Sequence, residues 1–454
     1  MCVSESASSM FREPIFTMKK LPNELEAVEA LAALAAGRLT AEALTRACIE
    51  RIAERDARVH AFVEFDPERA LAEARACDRA AVRGPLHGLP LGVKDIIDTH
   101  DMPTQYGSPI HAGHRPSADA ACVALAREAG AVMLGKTVTT EFALRHPGPT
   151  ANPRNLAHTP GGSSSGSAAA VADLMVPVAF GTQTGGSIIR PASYCGVVGY
   201  KPSHGTINPT GVKPLANSFD TVGLFARCVD DCALVVGVLA GAVDAAAPLD
   251  AVQPRRIGLC RTHAWPDAGP ATVRAVETAA EQLRRAGVAV EEVALPEEFA
   301  GFLDAQADVL RFEAARVFAF ERTRRAGLLS QSSREELAIG AALPRQRYLE
   351  AQALIARCRV LFAEAIAPFD LYLSASAPGE APLGLGNTGE AMFNRLTSGL
   401  GVPCLNLPAF TGPNGLPVGV QVIGASGEDL RLLRAAKWIA ARVGDAAAAG
   451  DGRS

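Results

Sequence analysis

The chain lacks an excess of charge of either sign: 44 Lys and Arg stand against 48 Asp and Glu, a formal net charge of −4 over 454 residues. No basic block offers nucleic acid or an anionic membrane an electrostatic footing, so small neutral partners are expected, with no nucleic acid and no membrane. Long apolar runs are missing too. The most apolar stretch, residues 232–241, falls far short of the ~20 residues that a membrane helix needs, and Arg227, Asp230 and Asp231 stand just before it. The first 20 residues carry Glu5, Arg12 and Glu13 and hold no apolar run of the kind a secretory signal requires, so a cytoplasmic location is expected. Ten cysteines are scattered without paired spacing apart from Cys228 and Cys232, and no His or further Cys stands at ligand distance. That pattern predicts buried thiols, with neither a disulfide framework nor a metal site.

What is present is an ordinary globular composition, 48% hydrophobic and 20% charged, ample for a large core. Three amphipathic helices are predicted over 24–36, 41–56 and 67–80, the second with Thr40 as its N-cap and the third opening on a proline. Strand-like and helix-like pieces then alternate: strand 91–98, helix 118–129, strand 131–134, helix 165–175, strand 177–181 and strand 197–201. The same rhythm returns as strand 256–260, helix 271–286, strand 288–293, helices within 297–325 and 345–367, strands 370–374 and 418–423, and helix 428–443. Such alternation predicts an α/β fold in which both halves share one partly parallel sheet. Residues 1–20 are expected to be a flexible extension and 446–454 a disordered tail, flanking one domain over 21–445 whose motifs lie within 84–235.

The densest chemical signal runs from Thr159 to Ser203. Two glycines lead into Ser163, Ser164 and Ser165, and further on an apolar strand feeds Thr184, Gly185, Gly186 and Ser187. A strand entering a Gly-Gly-Ser turn can aim several backbone N–H groups at one point beside a hydroxyl, and such a point can hold an oxyanion. Serine is a poor nucleophile until a base takes its proton. None of the nine histidines stands in a triad context, whereas Lys94 sits inside the apolar run LGVKDIID, where burial would drive an amine toward its neutral, basic form. Taken singly, each of these residues also fits an ordinary turn, a strand-edge charge, or a lysine paired with Asp95.

Two further patterns compete. GAVMLGKT over 130–137 meets the spacing of a phosphate-binding loop, but an apolar strand occupies the place of the flexible turn. GSSSG over 162–166 meets that of a nucleophile elbow centred on Ser164, but a loop precedes it where an elbow needs a strand.

Together LGVKDIID, GGSSSGS, GTQTGGSIIRPASYCGVVGYKPS and the closing GVPCLNLPAFTGPNGLPVGVQVIG resemble the amidase signature family over most of the chain. The resemblance implies a single α/β domain with a twisted mixed central sheet covered by helices, needing no cofactor. It further implies a Ser-Ser-Lys triad in which Ser187 is acylated, Ser163 bridges behind a cis peptide bond, and Lys94 is the base. The N–H groups of Thr184, Gly185, Gly186 and Ser187 would form the oxyanion hole. Departures are also visible: Ser165 and Gln183 stand where many members have Gly and Asp. Arg190, three residues past the nucleophile, is similar to the arrangement in malonamidase-like members, where that arginine is implicated in holding a carboxylate. The implied activity is hydrolysis of a linear carboxylic amide to carboxylate plus ammonia or amine, with small or carboxylate-bearing amides as substrates and Arg190 as a substrate contact. The alternatives are the catalytic subunit of an amidotransferase that passes ammonia to a partner, and a non-catalytic scaffold. Many members are homodimers, which makes a homodimer an expectation without naming a surface. Residues 102–108, 142–146 and 393–397 are the expected pocket walls.

Overall fold

The computed structural model describes residues 20–81, 83–242 and 247–445. The expectations for the extension before Lys20 and for the tail 446–454 lie outside them. Eleven strands form one sheet: β1 (Phe62–Phe65), β2 (Pro90–Lys94), β3 (Val132–Thr137), β4 (Val178–Gln183), β5 (Val198–Lys201), β6 (Thr221–Ala226), β7 (Arg256–Cys260), β8 (Ala289–Val293), β9 (Leu371–Ala375), β10 (Cys404–Thr411) and β11 (Pro417–Ile423). Their spatial order is β1-β3-β2-β4-β6-β5-β10-β11-β9-β7-β8.

The sheet has two parallel wings and an antiparallel middle. β2 lies between β3 and β4, parallel to both, and β7 lies likewise between β8 and β9. Parallel neighbours need crossover connections, which the helices between them supply, and helices on both faces leave such strands buried on both sides. β2, β3 and β4 are accordingly buried along their whole length, and antiparallel β6 is buried beside them. Between the wings, β6, β5, β10 and β11 pair antiparallel, and the β5–β10 pairing joins the N-terminal half of the sheet to the C-terminal half. The α/β architecture with one mixed sheet is therefore the fold that the alternating pattern implies.

Boundaries differ where tertiary structure intervenes. The strand expected over 91–98 stops at Lys94, because the N–H groups of Ile96 and Ile97 turn back to the Lys94 carbonyl. The helix expected over 165–175 ends at Ala172, with Leu174 at positive φ. The GAVMLGKT segment is β3 itself, and its Lys136 is buried, donating to Ile97 O at 2.6 Å and Thr104 Oγ1 at 2.5 Å and lying 3.6 Å from Asp95. A lysine so engaged inside a strand has no phosphate-cradling turn around it. The nine described cysteines are free thiols. Among the described residues no helix is long and apolar enough to cross a membrane.

Candidate functional site

β2 and β4 are parallel neighbours, so their C-terminal ends lie side by side, the usual place for a site in an open α/β sheet. Lys94 is the last residue of β2, and the turn 184–187 begins where β4 ends at Gln183. Successive strand residues point to opposite faces, so Lys94 and Asp95 diverge. Asp95 takes the face of Lys136. Lys94 takes the other, where its Nζ lies 2.7 Å from Ser163 Oγ and 2.7 Å from Thr182 Oγ1.

Among the described residues no carboxylate touches Lys94, which has no exposed surface. Burial holds its amine well below the usual lysine range, with the more distant Asp220 acting weakly the other way. A neutral amine offers two N–H groups and one lone pair. Thr182 can accept one N–H while the lone pair accepts the Ser163 proton.

Ser163 belongs to the loop before the helix Ser165–Ala172, and the Gly162–Ser163 peptide is cis. Arg190, on the short helix Ile189–Cys195, donates from Nη2 to Gly162 O and from Nη1 to Gly389 O, each at 2.5 Å. Its guanidinium thus ties the loop ahead of Ser163 to residue 389. Burial pushes its pKa down to about 10.

The turn 184–187 is clamped by its carbonyls and side chains. Thr184 O accepts from Gln306 Nε2, Gly185 O accepts from Ser398 Oγ, and Thr184 Oγ1 donates to Asp220 at 2.5 Å. Gln183 accepts from the N–H groups of Ile188 and Ile189 through Oε1 and donates to Ser398 through Nε2. With the carbonyls occupied, the N–H groups of Gly185, Gly186 and Ser187 donate to no described residue. Unspent donors beside a hydroxyl are what an oxyanion needs.

Ser187 lines a cavity of about 700 Å³ together with Thr184, Gly185, Gly186 and Arg190. No hydrogen bond joins Ser187 to Ser163 or Lys94 among the described residues, so the Lys94–Ser163 contact is formed and the Ser163–Ser187 contact is not. Of the expected walls, Ala143–His146 and Arg395 line this cavity. The segment 102–108 does not, since Met102 and Tyr106 turn into the core. A larger cavity of about 1020 Å³ holds none of the candidate residues. Ser164, the centre of the elbow pattern, is fully buried, with Oγ bonded to the backbone of Thr182. His100, Asp101 and Asp119 approach one another, but Arg127 takes both carboxylates.

Thr182 and Asp220 are absent from the sequence expectations, and Arg395 is present there only as part of the expected wall 393–397. Thr182 was findable, since it is the one hydroxyl within the apolar strand leading to the Gly-Gly-Ser turn. Asp220 lies in a loop segment with no local mark. Burial pushes its carboxyl up to about 6, against donation from Thr184, Leu215 and Ala216.

Residues 43–433 match the family model described as Amidase. The chain is 35% identical to a glutamyl-tRNA(Gln) amidotransferase subunit of Chloroflexus aggregans, over 88% of this chain and 93% of that one. Among solved structures it is similar to one described as amidase, with a TM-score of 0.85 and 35% identity over 92% of this chain and all of the other. It is also similar to the native peptide amidase of Stenotrophomonas maltophilia, with a TM-score of 0.80 and 32% identity over 92% and 97% of the two chains.

Proposed function

The chain belongs to the amidase family, and from that premise we propose that it hydrolyses small linear amides through an acyl-enzyme on Ser187. The observation that carries this reading is a buried lysine, touched by no carboxylate among the described residues, held 2.7 Å from Ser163 beside the cavity that Ser187 lines. In the proposed reaction Ser187 Oγ bonds to the amide carbon while its proton passes to Ser163 and the Ser163 proton passes to Lys94. The carbonyl oxygen becomes an anion facing the N–H groups of the turn 184–187. The C–N bond then breaks, and the departing amine takes a proton back through Ser163. Water repeats the sequence on the ester, releasing the carboxylic acid. The relay requires Ser187 to come within hydrogen-bond reach of Ser163, a contact that active sites commonly tighten only around substrate. Arg190 acts in this scheme by fixing Gly162 and residue 389 around the acyl site.

The likeness to an amidotransferase component supports a second reading, in which the same chemistry delivers ammonia to a partner. A panel of aliphatic, aryl and carboxylated amides, assayed with the isolated chain, separates the two. Ammonia release that falls at least ~10³-fold in Ser187→Ala and Lys94→Ala is the expected result. Covalent labelling of Ser187 by a fluorophosphonate with no amide turned over favours the second reading. Absence of both labelling and turnover overturns the catalytic assignment. Because Lys94 must be neutral to accept a proton, labelling is expected to fall as pH drops through its lowered pKa.

A further inference from the structure

The cavity wall carries four arginines, and their engagements differ. Arg190 donates from both terminal nitrogens to backbone carbonyls, and only its buried Nε is left without a partner among the described residues. Arg311 and Arg145 both pair with Glu336, at 2.9 and 3.3 Å. Arg395 is different: its side chain makes no hydrogen bond and no ion pair with any described residue, although it is only partly exposed. Three features make that position unfavourable for a lone cation. Arg395 lies in the first turn of the helix Met392–Leu400, where the helix dipole presents its positive end. Burial lowers its pKa, and the like-charged neighbours Arg145 and Arg311 lower it further. Of the cavity's glutamates, Glu336 is already shared by two arginines, Glu335 accepts from Gln331, and Glu390 is solvent-exposed.

Its place relative to the reacting centre is also defined. Arg395 Cγ lies 4.0 Å from where a Cβ on Gly185 would project, so the guanidinium reaches the cavity from beside the turn that carries the free N–H groups. An arginine fork matches a carboxylate with two parallel N–H bonds. The geometry points to Arg395 as the residue that binds a carboxylate carried by the amide substrate, which makes the substrate class half-amides of short dicarboxylic acids. This rests on the amidase reading above and relocates the anion contact: Arg190 shapes the acyl site, and Arg395 reads the distal acid. The Arg395 side chain begins beside the turn, so a guanidinium within its reach would sit a few carbons' length from the amide carbonyl.

The test measures binding without turnover. In the Ser187→Ala protein, titration calorimetry compares glutaramic acid with pentanamide, its uncharged counterpart. Hydrogen bonds to charged groups predict a preference of about 10- to 100-fold for the acid. Adding Arg395→Gln is expected to bring the two ligands within about twofold of each other, and Arg395→Lys to keep part of the preference. Arg395→Glu, which puts an anion at a helix N-terminus and so suits the fold, is expected to invert the preference toward 5-aminopentanamide. Equal affinities in the parent, or a preference for the acid that survives Arg395→Gln, overturns the proposal. Loss of Ser187 labelling in otherwise wild-type protein is a separate failure, that of the amidase reading, and leaves the calorimetric outcome standing.

Discussion

Lys94 is followed immediately by an acid that it does not touch. The alternation of a strand gives Asp95 to Lys136 on one face and leaves Lys94 among hydroxyls on the other. The two buried lysines of neighbouring strands therefore differ: Lys136 is paired with an acid, and Lys94 is bonded only to hydroxyls, as the base proposed above requires. A lysine whose folded pKa is depressed contributes stability that is full above its unfolded value of about 10.4 and is lost as pH falls through the folded pKa. Between those two values the wild type is expected to lose about 1.4 kcal/mol per pH unit on Lys94's account. Lys94→Met removes that dependence. Urea midpoints measured from pH 9.5 down to pH 6 should fall less steeply in the variant, and parallel curves would mean that Lys94 is charged in the fold. The run LGVKDIID was legible as a buried strand with a charge inside it, and so the unusual lysine was legible. The identity of its partners was not, because Ser163 and Thr182 are 69 and 88 residues away.

The turn between β4 and the helix Ile189–Cys195 is the element on which the proposed chemistry depends, and Gln183 is what holds its shape. Its carbonyl oxygen takes the N–H groups of Ile188 and Ile189 just where the helix begins, and its amide steadies Ser398, which in turn holds Gly185 O. Gly186 is confined as well: a Cβ there would lie 2.6 Å from Asn394 Oδ1, so only glycine lets the turn pack against the helix Met392–Leu400. Gln183→Met keeps the volume and removes both functions, leaving two buried N–H groups without an acceptor at about 1–3 kcal/mol each. We expect a lower unfolding temperature together with a kcat reduced at least ~10-fold and a smaller change in KM, because displaced oxyanion donors weaken the transition state more than the bound amide. An unchanged kcat would show that the turn holds its geometry without Gln183. At this scale the Gly-Gly-Ser pattern marked the turn, while its supports came from Gln306, Ser398 and Asp220, which no local spacing connects to it. β6 escaped for a related reason. Gly223 interrupts its apolar run, and the cause of that glycine is the Tyr200 carbonyl of the neighbouring strand, 2.3 Å from where a Cβ would stand.

Across the whole molecule, the alternation of strand and helix in both halves announced a shared sheet, but the seam between the halves could not be read from the chain. It is the β5–β10 pairing, in which Cys404 meets Lys201 and Asn406 meets Gly199. Lys201 is buried there and donates to Val402 O, 201 residues further on, so one side chain bridges the two halves beside the ladder. The largest core cluster also runs through both, from Leu91 and Val93 to Val420 and Trp438. A core and a ladder shared in this way leave neither half a complete hydrophobic interior, and the molecule is expected to unfold as one unit despite its length. The two tryptophans, Trp265 and Trp438, lie in the C-terminal half, whereas Lys94, Ser163 and Ser187 lie in the N-terminal half. Tryptophan fluorescence and fluorophosphonate labelling of Ser187 thus report on opposite sides of the seam. In a urea titration at equilibrium their midpoints should coincide. Labelling lost well before the fluorescence changes, with native-like helix content retained, would mean that the N-terminal wing opens on its own and that the β5–β10 seam does not couple the site to the rest of the sheet.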